Sequence, residues 1–203
     1  MIQSLRLLAV AAALGVVAPH AAPLFAQPAP AAPAAPAANG PKLGSAAPDF
    51  TIPVATKDGV RATPLHLADL KGSTVVLAFF PRARTSGCTV QMKTYRDQYA
   101  SLFKSGSKIV LVGVSTDADT TLANWAKEEG FPFLMGSDMD GNVGKLYGTY
   151  NVAYHAEARN LVIIAPDGTI GWEQRPVRVM AQETYSDLGA AVDKVSKGAG
   201  GAR

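Results

Sequence analysis

The sequence predicts an α/β fold in which a central mixed β-sheet is flanked by helices on both faces, and three observations lead there. Strand-like and helix-like patterns alternate along most of the chain. Residues 74–80 form an unbroken apolar, β-branched and aromatic run, the kind a strand needs when both its faces are covered. Two further strand-like runs, 161–165 and 169–173, flank Pro166-Asp167-Gly168, a turn sequence that folds them into a hairpin.

The chain opens with Arg6 and an almost wholly apolar stretch over residues 7–18, followed by Leu24-Phe25-Ala26 as a cleavage site. This reads as a secretory signal over residues 1–26, too short to span a bilayer, with retention as an uncleaved anchor the alternative, because the cleavage signal is not ideal. The mature protein is therefore expected outside the cytoplasm, in a periplasm, with no membrane segment after signal removal. Residues 27–41 are mostly alanine and proline, which neither pack a core nor sustain a helix, and should form a disordered tether. Residues 42–197 are then one domain, long enough to bury a core, and 198–203 a flexible tail. The formal charge of the whole chain is +3, and losing the signal removes Arg6 and no acid, leaving +2. No basic run marks a nucleic-acid surface.

Within the domain, residues 49–54 alternate like a short strand, and Lys57-Asp58-Gly59 turns the chain into a second extended piece that reaches Leu65. Pro81 lacks the amide proton a ladder needs and ends the 74–80 strand. Thr85 and Ser86 are capping residues. Cys88, Met92, Tyr95, Tyr99 and Leu102 then follow at spacings of four, three, four and three, on one helical face that Gly106 terminates. Residues 108–115 read as the next buried strand. Asp117 or Asp119 caps a helix that turns Leu122, Trp125 and Ala126 inward and stops at Gly130. Residues 131–134 make a short strand and 143–147 a short helix, and the last helix buries Tyr185, Leu188, Val192 and Val195.

Cys88 is the only cysteine, so an exported chain carries no internal disulfide and keeps a free thiol. In the first helical turn it lies near unpaired amides and the positive end of the helix dipole, both of which favour the thiolate, the reactive form. Arg82, Arg84, Lys93 and Arg96 add positive charge nearby in sequence. A lone cysteine also serves as a small buried apolar residue. The surrounding pattern decides between the two.

That pattern, Pro81-x-x-x-Thr85-x-x-Cys88, resembles the Pro-x-x-x-Thr-x-x-Cys signature of the peroxiredoxins, thiol peroxidases on a thioredoxin-like fold. Ala47-Pro48-Asp49-Phe50-Thr51, Leu67-Ala68-Asp69-Leu70-Lys71-Gly72, Val112-Gly113-Val114-Ser115-Thr116-Asp117 and the run from Arg159 to Gly168 extend the resemblance, in order, across the domain. The type resembled is the alkyl hydroperoxide reductase and thiol-specific antioxidant type, close to the bacterioferritin-comigratory-protein-like group. The resemblance implies that Cys88 is the peroxidatic nucleophile and that the guanidinium of Arg159 holds the thiolate and the peroxide oxygens. The hydroxyl of Thr85 would stand between thiolate and peroxide, and the amides of Gly87 and Cys88 would donate at the helix start. Pro81 would shield the thiolate from water, and Gln91 takes the position that steadies the arginine.

Relatives with a second cysteine in the same helix carry it five residues after the first, where this chain has Lys93. The resemblance is therefore to a one-cysteine form, whose sulfenic acid is reduced by an external thiol or a thioredoxin-like partner. Ser86 stands where many relatives have proline, and residues 149–158 are short compared with many, which implies a remodelled pocket wall. The implied substrate is hydrogen peroxide or an organic hydroperoxide, with no cofactor. His20, His66 and His155 have no metal-ligand spacing, so no metal is expected. The lack of a Cys-x-x-Cys pair speaks against a dithiol oxidoreductase. Two alternatives use the same cysteine: a non-catalytic thioredoxin-like docking module, and a peroxide sensor oxidised without turnover. The presence of Thr85 and Arg159 favours catalysis. Nothing in the pattern specifies an oligomeric state.

Overall fold

The computed structural model describes residues 40–104 and 108–198. The expected signal over 1–26, nearly all of the tether, Gly106 and the tail beyond 198 lie outside the described residues. The strands are β1 (Thr51–Ile52), β2 (Val54–Thr56), β3 (Gly59–Val60), β4 (Leu65–His66), β5 (Thr74–Phe79), β6 (Ile109–Ser115), β7 (Leu134–Ser137), β8 (Tyr150–Asn151), β9 (Ala156–Glu157), β10 (Asn160–Ile164) and β11 (Ile170–Gln174). The helices are α1 (Ser86–Asp97), α2 (Tyr99–Phe103), α3 (Asp119–Glu129), α4 (Asn142–Tyr147) and α5 (Gln182–Gly198).

Seven strands form one mixed sheet in the order β11-β10-β5-β6-β7-β2-β3. Its centre, β5 to β7, is parallel, and β10 and β2 pair antiparallel on either side. The pleat of β5 sends Val76 and Ala78 to one face and Val75, Leu77 and Phe79 to the other. The first face is covered by Met92 and Tyr95 of α1, Phe103 of α2, Leu122 and Trp125 of α3, and Leu188 and Val192 of α5. On the second, Val143 and Tyr147 of α4 join Phe50, Ile52, Leu65 and Leu67. Helical cover is thus unequal. Four helices pack on one face, while the other is completed by the β1–β4 ladder and a 3-10 turn, Leu67–Leu70.

Several elements differ from the sequence-based expectation. The helical face from Cys88 to Leu102 is split at Gln98, whose φ of −105° and ψ of 18° end α1 before α2 begins. The second helix stops at Phe103, with Lys104 left-handed at φ 48°. The strand expected at 131–134 lies instead at Leu134–Ser137. The apolar residues ahead of it serve packing instead: Phe131 and Phe133 are buried and stack on each other at 5.1 Å, with Phe131 also edge-on to Trp125 at 5.0 Å. Neither Asp117 nor Asp119 caps α3, whose N-cap is Ala118. The Asp117 carboxylate instead accepts from the Ala83 amide at 2.7 Å and the Ser115 hydroxyl at 2.9 Å. The strand expected over 49–54 is interrupted at Pro53, which lets β1 and β2 join different sheets.

Candidate functional site

The sheet register assembles the site. Asn160 stands opposite Phe79, so the start of β10 meets the end of β5, and Arg159 arrives beside the loop that leads into α1. This is the carboxyl end of the parallel strands, where open α/β sheets place their sites. The loop is fastened at several points. The Phe80 amide donates to the Val114 carbonyl at 2.9 Å, and the Ala83 amide to Asp117. Arg84 adopts a left-handed φ of 63°, which costs a residue with a Cβ about 1 kcal/mol. Its guanidinium reaches α3, 2.6 Å from the Glu128 carboxylate.

Cys88 is the third residue of α1 and is fully buried. The first bond of the helix runs from the Thr89 amide to the Thr85 carbonyl at 2.8 Å. The amides of Ser86, Gly87 and Cys88 precede that bond and have no partner within the helix. Arg159 divides its fork: Nη2 donates to the Cys88 Sγ at 3.3 Å and Nη1 to the Gln91 Oε1 at 2.6 Å. Gln91 is itself fully buried, and its Nε2 donates to the Tyr95 hydroxyl at 2.9 Å. Gly87 keeps the approach open, because a Cβ there would stand 3.3 Å from Nη2 of Arg159.

Thr85 is placed differently from expectation. It occupies the N-cap position with φ −73° and ψ 151°, yet its side chain caps no amide. Its hydroxyl donates to the Arg82 carbonyl at 3.0 Å rather than meeting the thiol. Pro81 is half-buried just beyond β5. The structure therefore brings together Cys88, Gly87, Gln91 and Arg159, and turns the Thr85 hydroxyl proton to the Arg82 carbonyl.

Three polar residues escaped the sequence reading. Tyr95 was legible only as core, although its spacing of four from Gln91 already allows the two side chains to meet. Asp117 looked like a cap. Glu157 carries no mark in the sequence pattern, yet it is 2% exposed beside Thr149 and Asp138. Burial first, and the charge of Asp138 after it, pushes the Glu157 carboxyl from its ordinary 4.5 up to about 8, against the hydrogen bond from Thr149. A Cβ on residue 144 would overlap this carboxyl, so Gly144 makes its room. Among the described residues, no group of three or more His, Cys, Asp or Glu side chains is arranged to hold a metal ion. No helix among them is long and apolar enough to cross a membrane.

The AhpC/TSA family model matches residues 43–173. The putative peroxiredoxin bcp of Coxiella burnetii is 33% identical over 135 residues, spanning 64% of this chain and 85% of the relative. Peroxiredoxin Bcp of Escherichia coli is 36% identical over 109 residues, 54% of this chain and 65% of that protein. Among solved structures, peroxidoxin BcpB from Mycobacterium tuberculosis superposes with a TM-score of 0.65 at 24% identity, covering 76% of this chain and 98% of the other. AhpC from Enterococcus faecalis does so with a TM-score of 0.65 at 19% identity, over 77% and 95% of the two chains. At these identities the likeness to solved structures concerns the fold.

Proposed function

The chain belongs to the AhpC/TSA family, the peroxiredoxins, and is a thiol-dependent peroxidase; within that activity we propose a one-cysteine cycle carried by Cys88, Arg159 and Thr85. The observation that carries it is the Arg159 Nη2 donating to the Cys88 sulfur at 3.3 Å. The thiolate attacks the terminal oxygen of a hydroperoxide. An S–O bond forms as the O–O bond breaks, sulfur supplies two electrons, and the leaving oxygen takes a proton and departs as alcohol or water. Arg159 has only donors, so its fork follows negative charge from the sulfur towards the leaving oxygen without accepting a proton. The Thr85 hydroxyl donates to the Arg82 carbonyl, which leaves its oxygen lone pairs to accept the O–H of the incoming peroxide.

With one cysteine in the sequence, the sulfenic acid has no second thiol within the chain to condense with. An external thiol attacks the oxidised sulfur, water leaves, and a mixed disulfide forms. A second thiol then releases the reduced Cys88 and carries the disulfide away. The reductant is a small thiol or a thioredoxin-like protein, and the substrate is hydrogen peroxide or an organic hydroperoxide. The amino-terminal pattern of residues 1–26 supports export, with the activity in a periplasm.

Stopped-flow reduction of hydrogen peroxide and cumene hydroperoxide, with mass spectrometry of Cys88, tests the cycle. The expected product is a sulfenic acid on Cys88 that added thiol restores and that excess peroxide alone drives to sulfinic acid. Cys88→Ser abolishes the reaction. Wild-type protein reacting no faster than free cysteine would overturn the reading.

A further inference from the structure

The contact between Arg159 and Gln91 sets a condition on a residue behind them. A glutamine amide has one acceptor oxygen and an NH2 group, whereas a guanidinium only donates. The Gln91 Oε1 must face Nη1 of Arg159, which turns Nε2 away from the arginine and into the protein. Gln91 is fully buried, so water cannot serve this nitrogen. Its acceptor is the Tyr95 hydroxyl at 2.9 Å, one turn further along α1 and likewise fully buried.

We propose that Tyr95 is a positioning residue for the peroxidase reaction: its hydroxyl accepts from the Gln91 amide and so keeps Gln91 on Arg159 and Arg159 on the Cys88 sulfur. The inference rests on the roles given above to Cys88 and Arg159. Three hydrogen bonds in series lead from the core to the thiol, at 2.9, 2.6 and 3.3 Å. The far end is fixed by packing. The Tyr95 ring meets Phe103 and Tyr185 edge-on, each with centroids 5.9 Å away, and Tyr185 is tied by its own hydroxyl to the Val179 carbonyl at 2.8 Å. The oxygen of Tyr95 therefore has a set position from which to hold the amide. Without it, Nε2 is a buried donor with no acceptor, and that cost is relieved only if the amide turns or withdraws from Arg159.

Tyr95→Phe keeps the ring and removes the oxygen. The second-order rate constant for oxidation of Cys88 by hydrogen peroxide, read by stopped flow, is expected to fall about tenfold, the order set by a buried donor losing its acceptor. Repeating the substitution in a Gln91→Met background separates positioning from packing. A thioether offers Arg159 no carboxamide oxygen and has no N–H for Tyr95 to hold, so Tyr95→Phe there should change the rate less than about twofold relative to Gln91→Met alone. Equal losses in both backgrounds, or no loss in the Gln91 protein, overturn the proposal. Gln91→Met removes both bonds at similar length and must lose at least as much as Tyr95→Phe. A wild-type rate in it overturns the proposal even where Tyr95→Phe fails to fold. Wild-type protein no faster than free cysteine overturns instead the reading of Cys88 itself.

Discussion

Arg159 and Cys88 are 71 positions apart in the chain, and Nη2 of the one stands 3.3 Å from Sγ of the other. The antiparallel pairing of β10 with β5 brings them together, because the residue before β10 must emerge where the loop after β5 begins. The same guanidinium holds Gln91 at 2.6 Å, so its orientation is fixed at two points.

That two-point hold predicts different outcomes for a cation and for a fork. Arg159→Lys keeps the charge but presents a compact ammonium, and peroxide reduction should slow about tenfold to a hundredfold, with Arg159→Ala slower still. Stopped-flow oxidation of Cys88 measures both. A wild-type rate for Arg159→Lys would mean that a point charge suffices and the fork has no role.

Gly87→Ala should separate activity from stability. A Cβ at 3.3 Å from Nη2 crowds the arginine, so the rate should fall about tenfold. The helix, relieved of a glycine in its first turn, should be unchanged or more stable by about 0.5 kcal/mol. Peroxide kinetics and thermal unfolding on one sample check both. A faster or unchanged rate would show that the guanidinium has room to spare.

Thr85 offers a rescue test. Its hydroxyl caps no amide and its side chain is exposed, so Thr85→Val should alter stability by less than about 0.5 kcal/mol. Peroxide reduction should nevertheless drop about tenfold and return in Thr85→Ser, which restores the oxygen. An unaltered rate in the valine variant would remove the hydroxyl from the mechanism.

Glu157 predicts a pH dependence of stability. The folded protein keeps its proton up to about pH 8, whereas the unfolded chain releases it near 4.5. Between those values the native state holds the extra proton, so stability is full below the lower value. It declines by about 1.4 kcal/mol per unit as pH rises towards the upper one. Glu157→Gln presents an amide in place of the protonated acid and should flatten this decline. Denaturant unfolding from pH 5 to pH 9 gives the slopes; parallel curves for the two proteins would mean that Glu157 is already ionised when folded.

The sequence alone determined the elements whose burial follows local geometry. The run at 74–80 became a central strand because an apolar run of that length has no solvent-facing side, and all six residues of β5 are buried. Tyr185, Leu188, Val192 and Val195 share the buried face of α5 because helical pitch alone aligns them. Cys88 in the first turn of α1 was legible for the same reason. The tertiary structure alone decided what each polar side chain meets. Arg159 finds sulfur rather than solvent through the register of β10, and Asp117 serves Ala83 rather than α3. Gln91 faces Tyr95 inside the core, and Glu157 is sealed against Asp138 and Thr149. An apolar residue carries its preference for burial wherever it lies, so its period is readable along the chain. A polar residue is satisfied by whichever partner the fold delivers, and strands and helices remote in sequence deliver these.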